Sequence, residues 1–175
     1  DIFIHDFSLV IAAVTNNSMY TYEVAPVATL IEQEMVQKMC SFAGYDDGDG
    51  IFVTGGSNAN LIAMFSARNR MFPETKSDGL YKIPRLSAFI SEQSHYSFEH
   101  NANLTGLGTS SIYKVKSDEN GIMLTDDLER QMNMSHKKGE QPFFVCATAG
   151  TTMLGAFDPI QPITDIAGHH EAWIH

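Results

Sequence analysis

Cysteine is scarce in this chain: Cys40 and Cys146 are the only two in 175 residues. Two are too few for a disulfide framework, and their separation matches no metal-ligand spacing, so a reducing, cytoplasmic setting is expected and no metal is. Positive charge is short as well, with 11 Lys+Arg against 21 Asp+Glu and a net charge of −10. That balance argues against nucleic acid or an anionic membrane as the main partner. No run of about 20 apolar residues is present, so no membrane-spanning helix is expected. The apolar stretch at residues 7–14 is too short to cross a bilayer and reads as a buried segment. Charged residues make up 18% of the chain and hydrophobic ones 43%. The charged share lies below the usual ~25%, which excludes disorder and suggests either a large core or a surface that a partner covers. Repeats and low-complexity tracts are also missing. The length suits about one domain, yet the chain opens at Asp1 without Met and closes on Trp173-Ile174-His175, so it is expected to be cut at both ends.

What is present alternates between strand and helix patterns. Val24, Val27, Ile31, Met35, Met39 and Phe42 recur at helical spacing and predict a helix over 23–42, with Pro26 in its first turn. Residues 51–54 predict a short strand, 57–72 a helix closed by Pro73, and 74–85 a loop. Strands follow over 86–90, 111–116 and 143–147, with a weak helix at 96–104 and another at 125–138. Thr125 is the expected N-cap of the latter, ahead of Asp126 and Asp127. A helix over 161–172 and a strand beginning at 173 complete the pattern. The class is therefore α/β with a largely parallel sheet.

Three loops, each after a predicted strand, carry the chemistry. In Val53-Thr54-Gly55-Gly56-Ser57-Asn58, a strand passes through two glycines into a helix whose first residues are polar. Glycine lets a backbone approach an anion, and a helix N-terminus offers free N–H groups, so this is a candidate phosphate cradle. A tight turn capped by Ser57 fits the same residues. A serine nucleophile is a further alternative, although neither G-x-S-x-G nor a P-loop is present. The second loop, Ser91-Glu92-Gln93-Ser94-His95-Tyr96-Ser97, offers His95 as an acid–base group, metal ligand or stacking partner, or as a plain surface or packed histidine. A metal is disfavoured, since His100 lies five residues on and not at the helical i+4 spacing. The third, Ala147-Thr148-Ala149-Gly150-Thr151-Thr152, has small residues and hydroxyls that would let a flat ligand lie close. All three would converge on one edge of a parallel sheet.

These stretches, with Thr21-Tyr22-Glu23-Val24-Ala25-Pro26, Asp47-Gly48-Asp49-Gly50 and Gly155-Ala156-Phe157-Asp158-Pro159-Ile160, resemble the group II pyridoxal-phosphate-dependent amino acid decarboxylases. The resemblance implies that residues 1–175 are an incomplete large domain of the fold-type I transferase fold. It also implies pyridoxal 5'-phosphate as cofactor. Gly56 and Ser57 would hold its phosphate, His95 would stack on its ring as the catalytic residue of this segment, and Thr148 would flank it. Asn17 and Tyr20 would lie near the substrate. The parent enzyme would decarboxylate an acidic L-amino acid as a homodimer. Glutamate is favoured, with cysteine sulfinate, aspartate, diaminobutyrate or an aromatic amino acid as alternatives. In such relatives the aspartate at the ring nitrogen and the Schiff-base lysine fall beyond His175, so the 175-residue piece alone is expected to be inactive. A non-catalytic binding protein on the same fold is the alternative from another class.

Overall fold

Side-chain alternation along two strands decides the layers. In the computed structural model, which describes residues 2–16 and 18–175, strand β1 (Leu86–Ser91) is buried along its whole length. Leu86, Ala88 and Ile90 face one cluster, and Phe89 faces another. Strand β3 (Gln141–Cys146) divides likewise, Phe144 and Cys146 on the first face and Val145 on the second. A sheet buried on both faces reads as continuous apolar runs, which is what these two strands are.

Strands β2 (Ile112–Val115) and β4 (Trp173–Ile174) complete a parallel sheet of order β2-β1-β3-β4. A bulge between Ser87 and Ala88 admits Phe143 as an extra residue, so Phe143 and Phe144 both pack on the first face. There they meet Met64 and Ala67 of α3 (Gly56–Met71) and Phe98 and Ala102 of α5 (Ser97–Leu104). Across the sheet, Leu128 and Met132 of α6 (Thr125–Lys137) and Ile163 and Ala167 of α7 (Ile160–His169) cover Phe89 and Val145. Phe89, Phe143 and Phe144 have no exposed surface, and each such burial contributes roughly 1.5–3 kcal/mol. Most polar groups inside are paired, Arg68 Nε being an exception: Ser135 Oγ lies 2.7 Å from Ser87 Oγ and donates to Glu140, which also accepts from Tyr113.

This three-layer unit spans Thr54–His175; the other compact unit is Asp1–Val53. In the latter, α1 runs Ile2–Thr15 and α2 runs Pro26–Ala43, with Pro26 in its first turn. Gly44 ends α2 in the left-handed region at φ 81°, its N–H on Ser41 O and that of Tyr45 on Cys40 O. Between α3 and β1 the expected loop contains one helical turn, α4 (Thr75–Asp78).

Three expectations need correction. Residues 7–14 are helical but exposed, Phe7 at 67% and Val14 at 79%, because nothing described in their own unit covers them. The apolar stripe of α2 from Val27 to Phe42 is bare for the same reason. Residues 51–54 form no strand: no ladder among the described residues includes them, and Ile51 and Phe52 are exposed. Thr125 lies inside α6 rather than capping it. Leu124 takes the extended N-cap position, and the first-turn carboxylate of Asp127 instead accepts from the Lys116 amide at 3.0 Å.

Candidate functional site

The order β2-β1-β3-β4 fixes where a ligand fits. The chain leaves β1 toward one side of the sheet, and the strand on its other side is β3. Such a reversal opens a crevice beyond the carboxyl ends of the two strands, between the loops that follow them. Those loops carry His95 and Thr148.

After β1, the amides of Gln93 and Ser94 return to Ser91, on its Oγ and its O, and turn the chain sharply. His95 emerges exposed, beside Tyr96 with ring centroids 4.2 Å apart. Its Nδ1 accepts from the Ser97 amide at 3.2 Å, which puts the ring proton on Nε2. One face of the imidazole is thus available to a flat partner.

The glycine turn approaches from α3. Gly55 has φ 110° and ψ 165°, a region essentially reserved for glycine. Its carbonyl accepts the amides of Asn58 at 3.0 Å and Ala59 at 3.1 Å. The amides of Gly56 and Ser57, first in the helix, have no backbone acceptor among the described residues. A Cβ built on Gly56 meets nothing within 4 Å, so the turn is open on that side. Two links bring the turn to the His95 loop: Asn101 Nδ2 donates to Ser57 O at 3.1 Å, and Asn60 Nδ2 donates to Ser97 Oγ at 2.9 Å.

Thr148 joins from the third loop, its Oγ1 3.4 Å from Ser94 Oγ. Its amide donates to Asp158 Oδ2 at 2.8 Å, while the Asp158 amide donates to Thr148 O at 2.9 Å. Asp158 is buried and also accepts from the Met123 amide at 2.8 Å. Just before Thr148, burial pushes the Cys146 thiol up to about 12, and the neighbouring Asp158 charge adds to the rise. A thiol held protonated is a poor nucleophile. In the native protein Cys146 should therefore resist iodoacetamide at pH 8 while half-buried Cys40 reacts first. Mass mapping of the alkylated peptides checks this, and equal labelling of both would contradict it.

Gly56, Ser57, His95 and Thr148 thus lie on loops linked by side-chain hydrogen bonds. Tyr20 belongs to the N-terminal unit and is 76% exposed, and Asn17 lies outside the described residues. Reading the sequence missed Asn60 and Asn101 as the links. The available signal was asparagine inside helices, where it is a weak helix former and needs another reason to be present. Together the site offers free helix N-terminal amides with a hydroxyl, a bare imidazole face and a threonine hydroxyl. That donor set fits a phosphate monoester carried on a flat aromatic ring.

Comparison with known proteins agrees with this. Residues 7–175 match the pyridoxal-dependent decarboxylase conserved domain. The chain is 47% identical over 160 residues to cysteine sulfinic acid decarboxylase of Homo sapiens, covering 91% of this chain and 32% of that protein. It is 46% identical over 160 residues to acidic amino acid decarboxylase GADL1 of Bos taurus, covering 91% and 31%. The crystal structure of mouse CSAD in apo form superposes with a TM-score of 0.92 at 45% identity, over 95% of this chain and 35% of that one. The chain spans about a third of the length of the curated relatives it matches. No helix among the described residues is long and apolar enough to cross a membrane. With its parallel sheet between helical layers and pyridoxal phosphate as its cofactor, the chain belongs to the group II pyridoxal-phosphate-dependent decarboxylase family.

Proposed function

We propose that the full-length protein decarboxylates a small acidic amino acid, with cysteine sulfinate ahead of glutamate, and that residues 1–175 are part of its cofactor-binding domain. The observation that carries the reading is the 47% identity to a cysteine sulfinic acid decarboxylase across 91% of the chain. It moves the substrate away from glutamate, which the motifs alone favoured.

The amides of Gly56 and Ser57, with the Ser57 hydroxyl, hold the cofactor phosphate at the positive end of α3. His95 stacks on the ring and fixes the plane in which the substrate reacts; its Nε2–H stays free to donate. Thr148 borders the ring from the β3 side. When bound, the cofactor supplies the electron sink as the carboxylate leaves as CO₂. A second copy of the protein covers the apolar helix faces of the N-terminal unit, giving a homodimer. The compartment is the cytoplasm, in keeping with two unpaired cysteines.

The test is CO₂ release by the full-length protein with added pyridoxal phosphate, on cysteine sulfinate, glutamate and aspartate. We expect kcat/KM for cysteine sulfinate to exceed that for glutamate by about tenfold or more. A preference for glutamate would overturn the substrate, and no release from any acidic amino acid would overturn the activity.

A further inference from the structure

A chain of hydrogen bonds runs from the end of the sheet to the back of His95. His175, next after β4, lies with Nε2 2.9 Å from Asn60 Oδ1. Asn60 turns its other side to Ser97, donating from Nδ2 to Oγ at 2.9 Å. Ser97, buried at the start of α5, donates its amide to His95 Nδ1 at 3.2 Å. With Nδ2 committed to Ser97, Asn60 Oδ1 is an acceptor, so His175 carries its proton on Nε2. The His175 ring is held by stacking on Phe144 at 5.8 Å and by an edge contact with Phe98 at 6.3 Å. Desolvation lowers its pKa, which favours the neutral ring this donation uses. Phe144 is fully buried in β3, so the chain of bonds is anchored in the rigid middle of the sheet.

From this we infer that Asn60 and His175 are positioning residues for His95: the His175–Asn60–Ser97 relay fixes where α5 begins, and the Ser97 amide there sets the tautomer and tilt of the His95 imidazole. The inference rests on the reading of His95 as the ring-stacking group. Asn60 also lies one helical turn beyond Ser57, so one side chain ties the position of the phosphate-binding turn to that of the stacking ring. A polar side chain inside a helix then has a task that Leu or Ala in its place could not perform.

The test is a double-mutant cycle in the full-length holoprotein, read by the dissociation constant for pyridoxal phosphate and by visible circular dichroism of the bound cofactor. Asn60→Ala should weaken cofactor binding about tenfold, within the range of couplings in one hydrogen-bond network, and should change the dichroic band. In a His95→Ala background, Asn60→Ala should change neither. Equal effects in the two backgrounds would mean that Asn60 serves the fold and not His95, and would overturn the inference; so would an unchanged constant and band in Asn60→Ala alone. Should Asn60→Ala fail to fold, His175→Phe replaces it in the same cycle, since it keeps the ring contact with Phe144 and removes only the N–H. If His95→Ala itself leaves constant and band unchanged, the stacking reading fails and takes the inference with it. That outcome is separate from one in which His95 matters and Asn60 does not.

Discussion

His95→Asn in the full-length protein is expected to lower kcat/KM by about a hundredfold, the scale on which misplacing a reacting group costs rate. It should leave stability within about 1 kcal/mol. The two sides of the imidazole have different tasks. Its Nδ1 serves the fold, accepting the Ser97 amide at the start of α5. Its exposed face and Nε2–H serve the bound ring. Asparagine can offer an oxygen where Nδ1 stood, so the amide keeps an acceptor, but it has no aromatic face to stack. His95→Ala removes both functions and should add the loss of a cap-like bond, about 1 kcal/mol. Steady-state kinetics and thermal unfolding of the two variants separate these effects. If His95→Asn lost stability and rate together, the histidine would be a packing residue and the assignment of its ring to the cofactor would fall.

The parts of the molecule written in periodic apolar residues were readable without coordinates. Leu86–Ser91 and Gln141–Cys146 are runs that only a doubly covered strand explains, and Gly55-Gly56-Ser57 after an apolar segment marks a turn into a helix. Residues 51–54 misled because apolar, β-branched composition reports a preference for burial, whereas a strand exists only where a neighbour supplies a ladder. Residues 7–14 misled in the same way, since apolarity says that a surface is to be covered and not by what. The loops holding His95 and Thr148 were visible as strand-end segments, and the Ser57 turn as a glycine entry into a helix, although no strand precedes it. Their linkage was not, because Asn60, Asn101 and Thr148 act over separations of 37, 44 and 54 residues, and no local pattern encodes such pairings.

Asp158 carries the other large expected effect, this time on stability. The residue is 4% exposed, and its carboxylate receives two backbone amides, Met123 on Oδ1 and Thr148 on Oδ2, each at 2.8 Å. Its own amide closes the circuit by donating to Thr148 O. One side chain thus joins the segment before α6, the loop after β3 and the entry to α7. Bonds to a charged acceptor are worth about 1.5–3 kcal/mol each, and the buried Met123 amide would be left without a partner. Asp158→Ala should therefore cost about 3–5 kcal/mol, a large part of the stability of an ordinary domain. Asp158→Asn keeps one acceptor but turns an NH₂ toward the other amide, so it should lose about half as much. Hydrogen exchange gives the sharpest readout: the Met123 and Thr148 amides should lose protection in Asp158→Ala, whereas in Asp158→Asn one of the two should keep it. Thr148 hangs from this carboxylate, so the same substitution should also weaken pyridoxal phosphate binding through the displaced threonine. Unchanged protection at both amides would mean that the loop after β3 is held by the Thr151 and Ala156 bonds instead, and that Thr148 owes its position to them.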